Sequence, residues 1–173
     1  IIINLAKNYS RQTVNKHFRK LQLLSAAAFS LGHGGNDAQK SMGIIWVALI
    51  TTGFASVNDK IDLWIVLSCQ AAIALGTLFG GWRIVRTMGQ RITKLKPFEG
   101  FCAEAAGAIT LFGATHYGIP VSTTHTITGS IIGVGVLKRV TAVKWGVTSR
   151  IFWAWILTIP VSAIIGAVIC LIF

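Results

Sequence analysis

The side chains best suited to ion binding lie in two short polar stretches of an otherwise apolar sequence. The first polar stretch, residues 33–40, reads HGGNDAQK and contains Asn36, Asp37 and Lys40. Asparagine and aspartate supply the oxygen ligands that hard cations prefer, and the glycines allow the chain to unwind and expose backbone groups. This combination predicts a site for a small cation or a proton relay. Because Asp37 and Lys40 are three residues apart, a helix would place them on one face, and an ion pair that only fixes helix packing is the alternative.

The second polar stretch, residues 120–125, reads PVSTTH and predicts an anion site. Proline and serine both favour a helix start, so a half-helix is expected to begin near Ser122 and to run to Leu137. The free N–H groups and the positive dipole end of such a helix attract anions. Ser122, Thr123 and Thr124 add hydroxyl donors without a full charge, which suits an oxyanion that must bind and then leave. A capped turn between two membrane spans is the alternative.

Glu104 and three histidines lie between or beside these stretches, and their sequence positions leave several interpretations open. Glu104 either reaches an interface together with Glu99, or faces the interior and helps to bind a cation or a proton. An intramembrane metalloenzyme is an alternative function, built on these side chains: His33, Asp37, His116 and His125. Against it, the sequence contains no HExxH motif and no close histidine pair. A lone histidine in such a place is more typical of a packing residue than of a ligand.

The composition predicts a membrane protein that must accommodate these polar stretches. Of the 173 residues, 53% are apolar and only 12% are charged, and the mean hydropathy is +0.67. Soluble domains carry about 25% charged residues, so this composition excludes a disordered chain and argues against an ordinary soluble enzyme. The net charge of +11 does not indicate nucleic-acid binding, because the cations fall in blocks between long uncharged runs. Such blocks are typical of loops on the cytoplasmic side of a membrane.

The apolar segments predict an all-α, multi-pass helical bundle. Residues 21–54 are expected to form one span that is broken at 32–40, since a straight helix of that length would be about 50 Å long and the hydrocarbon core is about 30 Å thick. Residues 63–82 and 151–173 are expected to form plain spans. Residues 98–137 form either two spans or a re-entrant helical hairpin, and the lack of charged residues in their middle favours the hairpin.

The charge distribution predicts the orientation of these segments. Residues 1–20 form a basic lead-in on the cytoplasmic side, and the basic segments 83–96 and 138–150 are expected on the same side. The loop over 55–62 lacks a basic excess and is expected outside, together with Phe173. The first polar stretch and the tip of the hairpin would then both lie near the middle of the membrane.

The two polar stretches, in this order and topology, resemble those of the inorganic phosphate transporter (PiT) family of secondary transporters. The resemblance runs from about residue 20 to the end and is carried by these groups: Gly34-Gly35-Asn36-Asp37, Pro120-Val121-Ser122-Thr123-Thr124-His125, Glu104 and Gly129-Ser130. The family is built from two inverted repeats, each with one stretch of either kind. The chain resembles the C-terminal repeat, so we expect the N-terminal repeat to be absent from this sequence or to be replaced by a second copy of the chain.

The resemblance implies roles for the matching side chains. It implies that phosphate binds to the following residues: Asn36, Asp37, Ser122, Thr123 and Thr124. It also implies that the coupling ion depends on Asp37, Lys40 and Glu104. Sodium-coupled members resemble GxNDxxN, whereas this chain has Lys40 in place of the second asparagine. An ammonium group there could stand where a sodium ion would otherwise balance Asp37, and Gln39-Lys40 resembles the bacterial, proton-coupled branch.

The resemblance therefore implies a secondary active transporter of inorganic phosphate, or of a neutral metal–phosphate, in the plasma or inner membrane of the cell. Protons are the expected coupling ion, sodium is the alternative, and a divalent metal travelling with the phosphate is a further option. No cofactor, resident metal, nucleic-acid partner or enzymatic activity is expected. The expected partners are the lipid bilayer, the missing repeat and further copies in a homo-oligomer. A non-transporting assembly subunit is the remaining alternative.

Overall fold

The computed structural model describes the backbone of residues 11–172 and the side chains of residues 17–172 other than Arg83. All regular structure in this part of the chain is helical, so the predicted all-α fold class is confirmed. The elements are α1 (Arg11–Thr51), α2 (Leu63–Gly80), α3 (Trp82–Arg86), a π-helix (Thr87–Ile92), α4 (Pro97–His116), α5 (Thr123–Lys138), a short 3-10 helix (Val140–Ala142) and α6 (Trp145–Ile172).

Helix α1 is continuous over 41 residues, so the predicted break at residues 32–40 is wrong. A glycine inside a helix costs about 1 kcal/mol relative to alanine, which packing can offset. Ala38 and Met42 form a buried core with two residues of α2, Ile65 and Cys69. Gly32 is buried on the side that faces α4, where an added Cβ would come into van der Waals contact with Leu111. Contacts on two sides therefore hold the glycine-containing segment helical.

Helices α1 and α4 lie side by side and point in the same direction. Ser25 contacts Glu104 and Asn36 contacts Thr115, and both pairs are 79 positions apart in the sequence. A constant offset over about three helical turns means that the two helices are parallel and in register.

The predicted basic lead-in is part of this helix pair rather than a separate segment. Residues 1–10 lie outside the described residues, whereas residues 11–20 form the first turns of α1. There the ring of Phe18 makes edge contacts with Phe98 and Phe101 of α4, at centroid distances of 4.7 and 5.2 Å. Edge-to-face aromatic pairs are a favourable geometry, so they help to fix α1 beside the start of α4.

A turn over residues 117–122 joins α4 and α5 into a helical hairpin. Gly118 adopts a positive φ of 67° in this turn, a conformation that glycine permits at no steric cost. At the open end of the hairpin, Glu99 accepts a hydrogen bond from the Lys96 N–H at 2.9 Å and pairs with Lys138 Nζ at 2.8 Å. The start of α4 and the end of α5 are thereby held together.

Two helices are long and apolar enough to cross a membrane by length and composition: Leu63–Gly80 and Trp145–Ile172. Helix α6 has no buried residue and continues through Pro160. The basic segment after α2 is helical as far as Ile92, whose side chain is fully buried with Ala103 and Ile131 of the hairpin. The π-helix thus attaches α2 to the base of the hairpin.

The close approach of α1 to α4 predicts opposite effects for two alanine substitutions in α4. A Cβ at Gly107 would lie 2.9 Å from Phe29 Cε2, so we expect Gly107→Ala to lower the free energy of unfolding by about 1–3 kcal/mol. A Cβ at Gly113 meets nothing within 4 Å, so Gly113→Ala should raise it by up to about 1 kcal/mol through helix propensity. Unfolding of the detergent-solubilised variants measures both effects. Equal stability of the two variants would contradict the packing described here.

Candidate functional site

The carboxylate of Asp37 is the point at which the two polar stretches meet. Its Oδ1 lies 3.0 Å from Lys40 Nζ, and its Oδ2 lies 3.0 Å from His33 Nε2. The Thr123 hydroxyl, from the first turn of α5, donates a third hydrogen bond to Oδ2 at 3.0 Å. Because α1 is helical throughout, His33 and Lys40 stand one turn before and one turn after Asp37 on the same face. We call His33, Asp37, Lys40 and Thr123 the Asp37 cluster.

Two further contacts tie the first polar stretch to the tip of the hairpin. The ammonium group of Lys40 donates a second hydrogen bond to the Val121 carbonyl at 2.7 Å. The Asn36 amide nitrogen donates to the Thr115 hydroxyl, in the last turn of α4, at 3.3 Å. The polar face of α1 therefore contacts the end of α4, the turn and the start of α5.

Asn36 carries a buried hydrogen-bond acceptor that has no partner. Its side chain is 5% exposed, and its Oδ1 is the one buried side-chain polar atom without a hydrogen bond in the described part of the chain. Leaving such an acceptor unpaired costs about 1–3 kcal/mol. A donor from water or from a ligand, or a bound cation, would satisfy it.

Asn36 also borders an open cavity of about 190 Å³ at the hairpin tip. The other lining residues are Gln39, Lys40, Thr115, Gly118, Ile119 and Pro120. A water molecule occupies about 30 Å³ in the liquid, so the cavity has room for an ion of several heavy atoms. Asn36 and Lys40 thus line the same space from one helix, although the unpaired Asn36 Oδ1 itself is buried.

The three hydroxyls of the second polar stretch have separate surroundings. Ser122 is the N-cap of α5, and its hydroxyl accepts a hydrogen bond from the His125 N–H at 3.4 Å. Thr123 is buried against Asp37, whereas Thr124 is exposed. The predicted start of the half-helix at Ser122 is therefore observed. Of the three hydroxyls, only that of Thr123 contacts Asp37.

Glu104 lies outside the Asp37 cluster. Its Oε2 is 2.6 Å from the Ser25 hydroxyl, which also lies 3.0 Å from the Gln22 carbonyl and can donate to one of them at a time. Ser25 precedes Asp37 by twelve residues on α1, a separation of about 18 Å along the helix. Glu104 therefore forms a second polar contact between α1 and α4, separate from the contacts around Asp37.

The histidines have different partners and do not converge. The ring of His125 packs on Trp155 of α6 at a centroid distance of 3.9 Å, and the ring of His116 packs on Tyr117 at 5.2 Å. His33 contacts Asp37 instead. Within the described residues, no group of three His, Cys, Asp or Glu side chains could hold a metal ion. The side chains that the metalloenzyme alternative requires are thus not assembled.

Three contacts of this site were not predicted from the sequence. The His33–Asp37 pair has the i, i+4 spacing of helix neighbours, but the expected break in α1 concealed it. The Thr115 hydroxyl lies in the last turn of α4, in a part of the sequence that matches no motif. The Val121 carbonyl is a backbone group, which no side-chain pattern can reveal.

Comparison with known proteins gives a consistent set of relatives. The sequence matches the phosphate transporter family over residues 3–166. A solved structure described as the sodium-dependent phosphate transporter is similar with a TM-score of 0.76 and 29% identity, covering 92% of this chain and 41% of that one.

Curated relatives carry corresponding names. A probable low-affinity inorganic phosphate transporter of Rhizobium meliloti (strain 1021) is 61% identical, covering 92% of this chain and 48% of that protein. The protein of the same name in Bacillus subtilis (strain 168) is 46% identical, covering 95% of this chain and 48% of that protein. Sodium-dependent phosphate transporter 1 of Mus musculus is 37% identical, covering 90% of this chain and 23% of that protein. The chain thus spans about half the length of the bacterial relatives, or less.

The hydrogen bond between Thr123 and Asp37 predicts a difference between two neighbouring threonines. Thr123→Val keeps the side-chain shape but removes the donor to a carboxylate that is only partly exposed, so it should lower the free energy of unfolding by about 1–2 kcal/mol. Thr124→Val changes an exposed side chain and should stay within about 0.5 kcal/mol. Thermal unfolding in detergent measures both. A loss of the same size for both variants would argue against the contact.

Proposed function

Because the chain belongs to the phosphate transporter family, we propose that it forms one half of a secondary active transporter of inorganic phosphate. The family consists of transport proteins rather than enzymes, and it implies a membrane protein. The observation that carries the proposal is the 3.0 Å hydrogen bond from Thr123 to Asp37, which joins the two polar stretches into one site. The substrate, the coupling ion and the assembly described below are proposals that this contact and its surroundings support.

In the proposed site, phosphate occupies the cavity beside the hairpin tip. Lys40 offers a positive charge there. No residue of α5 lines the cavity, and we propose that the bound anion extends to the start of α5, where the first turn offers N–H donors and its dipole. Ser122 and Thr124 lie at the same helix end as Thr123 and are proposed to add hydroxyl donors when the anion binds. Asn36 is proposed to turn its buried Oδ1 towards a protonated phosphate, whose hydroxyl would then supply the hydrogen bond that this acceptor lacks.

The charge balance of the Asp37 cluster supports coupling to a cation. With His33 neutral, the Asp37 carboxylate and the Lys40 ammonium cancel, so the cluster has no surplus charge to hold an anion. A proton taken up by His33 or Asp37 leaves one positive charge beside the phosphate. We therefore propose protons as the coupling ion.

Sodium is the alternative coupling ion, and the names of the relatives include both low-affinity and sodium-dependent transporters. In this chain the Lys40 ammonium lies 3.0 Å from Asp37 Oδ1. It therefore occupies an oxygen that a bound sodium ion would need as a ligand. Co-transport of a divalent metal with phosphate would likewise require Lys40 to leave that oxygen. Glu104 is proposed to act in coupling through the α1–α4 pair, since it does not touch Asp37.

The proposed assembly pairs this chain with the missing repeat or with a second copy, in the plasma or inner membrane of the cell. Helices α2 and α6 expose most of their apolar side chains, including Leu78, Phe79 and Ile159. Lipid or a second repeat would cover them. The parallel α1 and α4 both begin next to basic segments, which supports a cytoplasmic start for both helices and a re-entrant hairpin.

Replacing Asp37 tests the proposed coupling directly. Asp37→Asn removes the ionisable group, so phosphate uptake driven by an ion gradient should fall at least about a hundredfold, the effect of losing an interaction of roughly 3 kcal/mol. Asp59→Asn makes the same chemical change in an exposed loop and should retain uptake. The assay is uptake of radiolabelled phosphate into proteoliposomes that contain the chain together with the half of the Rhizobium meliloti relative that it does not cover. Near-normal uptake by Asp37→Asn would remove Asp37 from the mechanism, and no uptake by the parent protein would favour a non-transporting subunit.

Replacing Lys40 tests the choice of coupling ion. Lys40→Asn creates the GxNDxxN pattern and frees Asp37 Oδ1, so uptake should become dependent on sodium. Lys60→Asn, in an exposed loop, should leave the ion dependence unchanged. Uptake is measured with sodium or choline outside, with and without a pH gradient. An unchanged ion dependence of Lys40→Asn would contradict the assigned role of Lys40.

A further inference from the structure

A second and larger cavity lies beside the π-helix, away from the Asp37 cluster. It has a volume of about 460 Å³ and is lined by Arg86, Gly89, Gln90, Arg91, Lys94 and Leu95. We call it the basic cavity, because three of its six lining residues are cations. It shares no residue with the cavity at the hairpin tip.

The π-helix brings the cations of this cavity together. Arg86 is the N-cap of the π-helix and Arg91 lies in its last turn, so the wider i→i+5 turn brings their directions closer than an α-helix would. Lys94 follows within one turn of Arg91, where the chain leaves the helix. In a regular α-helix, Arg86 and Arg91 would point away from each other. Single π-turns are often found at functional sites, which agrees with a local geometry that serves a ligand.

The cations of the basic cavity are not balanced by carboxylates. The chain has only five acidic residues, and all of them lie outside the lining of this cavity. The ion pairs of the described residues engage the carboxylates of Asp37 and Glu99, and none involves Arg86, Arg91 or Lys94. Like charges held at close range destabilise one another, so an anion from outside the chain would be stabilised among them.

The position of the basic cavity points to an anion at a membrane surface. The cavity lies just beyond α2, a helix able to span the membrane, and next to three exposed apolar side chains. Trp82 is 78% exposed, and Ile84 and Val85 are each 58% exposed. Tryptophan is typical of the interface between headgroups and hydrocarbon. A ligand here would meet cations on one side and an apolar surface on the other.

We propose that the basic cavity binds the phosphate headgroup of an anionic lipid, with the acyl chains along Trp82, Ile84 and Val85. Arginine guanidinium groups bind phosphate oxygens in a bidentate manner, and Gln90 adds an amide donor. Clusters of basic residues at the cytoplasmic end of a membrane helix attract anionic lipids through the same charge. This site is independent of the proposed transport site and would persist if that proposal failed.

Native mass spectrometry of the detergent-purified protein tests the proposal with two lipids. Phosphatidylglycerol should be retained in preference to phosphatidylcholine, which carries the same phosphate but no net charge. The triple variant Arg86→Gln, Arg91→Gln, Lys94→Gln should bind phosphatidylglycerol roughly fivefold more weakly for each cation removed. A matched triple variant outside the cavity, Arg139→Gln, Lys144→Gln, Arg150→Gln, removes the same charge from another basic segment and should weaken binding less, and equal weakening by the two triple variants would overturn the proposal.

A single substitution gives a second test that removes no cation. Gly89 has nothing within 4 Å of an added Cβ, so Gly89→Glu places a carboxylate in the cavity without a clash and should abolish the preference for phosphatidylglycerol. Gly146 is equally open, and Gly146→Glu makes the same charge change elsewhere and should keep the preference. Equal lipid retention by Gly89→Glu and Gly146→Glu would overturn the proposal. Displacement of the lipid by equimolar inorganic phosphate would overturn the choice of a lipid headgroup.

Discussion

The negative charge of Asp37 must be balanced wherever water is scarce, and the fold around the hairpin tip depends on how this is done. Two of the balancing groups, His33 and Lys40, come from the same helix and are available as soon as α1 forms. The third, the Thr123 hydroxyl, comes from α5 and requires the hairpin to be in place. Satisfying the carboxylate therefore fixes the hairpin tip against α1. The same contacts hold Lys40 and Asn36 at the wall of an open cavity, so the groups that fix the hairpin tip are also the groups of the candidate site.

The sequence predicted the second polar stretch more accurately than the first. Proline followed by serine fixes a helix start through local geometry, and Ser122 is indeed the N-cap of α5. The glycines of the first stretch were interpreted as a helix break, because glycine has a low helix propensity. In the structure the segment is helical, and packing does not require glycine there: a Cβ at Gly34 would come no closer than 3.8 Å to another residue, and one at Gly35 would meet nothing within 4 Å. The core around Ala38 and Met42 holds these turns helical, and that tertiary contact has no local sequence signal.

The residues of the candidate site show the same division between local and tertiary information. The i, i+3 spacing of Asp37 and Lys40 was enough to predict their ion pair. Asp37 and Thr123 are 86 positions apart in the sequence. Their shared site was predicted only through resemblance to a family. Neither spacing nor resemblance separated Thr123, which is buried, from its exposed neighbour Thr124. Glu104 matched the family motif, yet its partner is Ser25, a residue that no motif singled out.

The parallel register of α1 and α4 limits how this part of the molecule can move. The ring contacts of Phe18, the Ser25–Glu104 hydrogen bond and the Asn36–Thr115 hydrogen bond follow one another along the pair. Because α1 has no break in the described residues, sliding one helix along the other would break all of them together. A movement of α1 and α4 as one unit against α5 would keep them and would instead break the Thr123–Asp37 hydrogen bond. Asp37 would then lose its partner on α5, while Glu104, about 18 Å away along the helix, would keep its contact with Ser25.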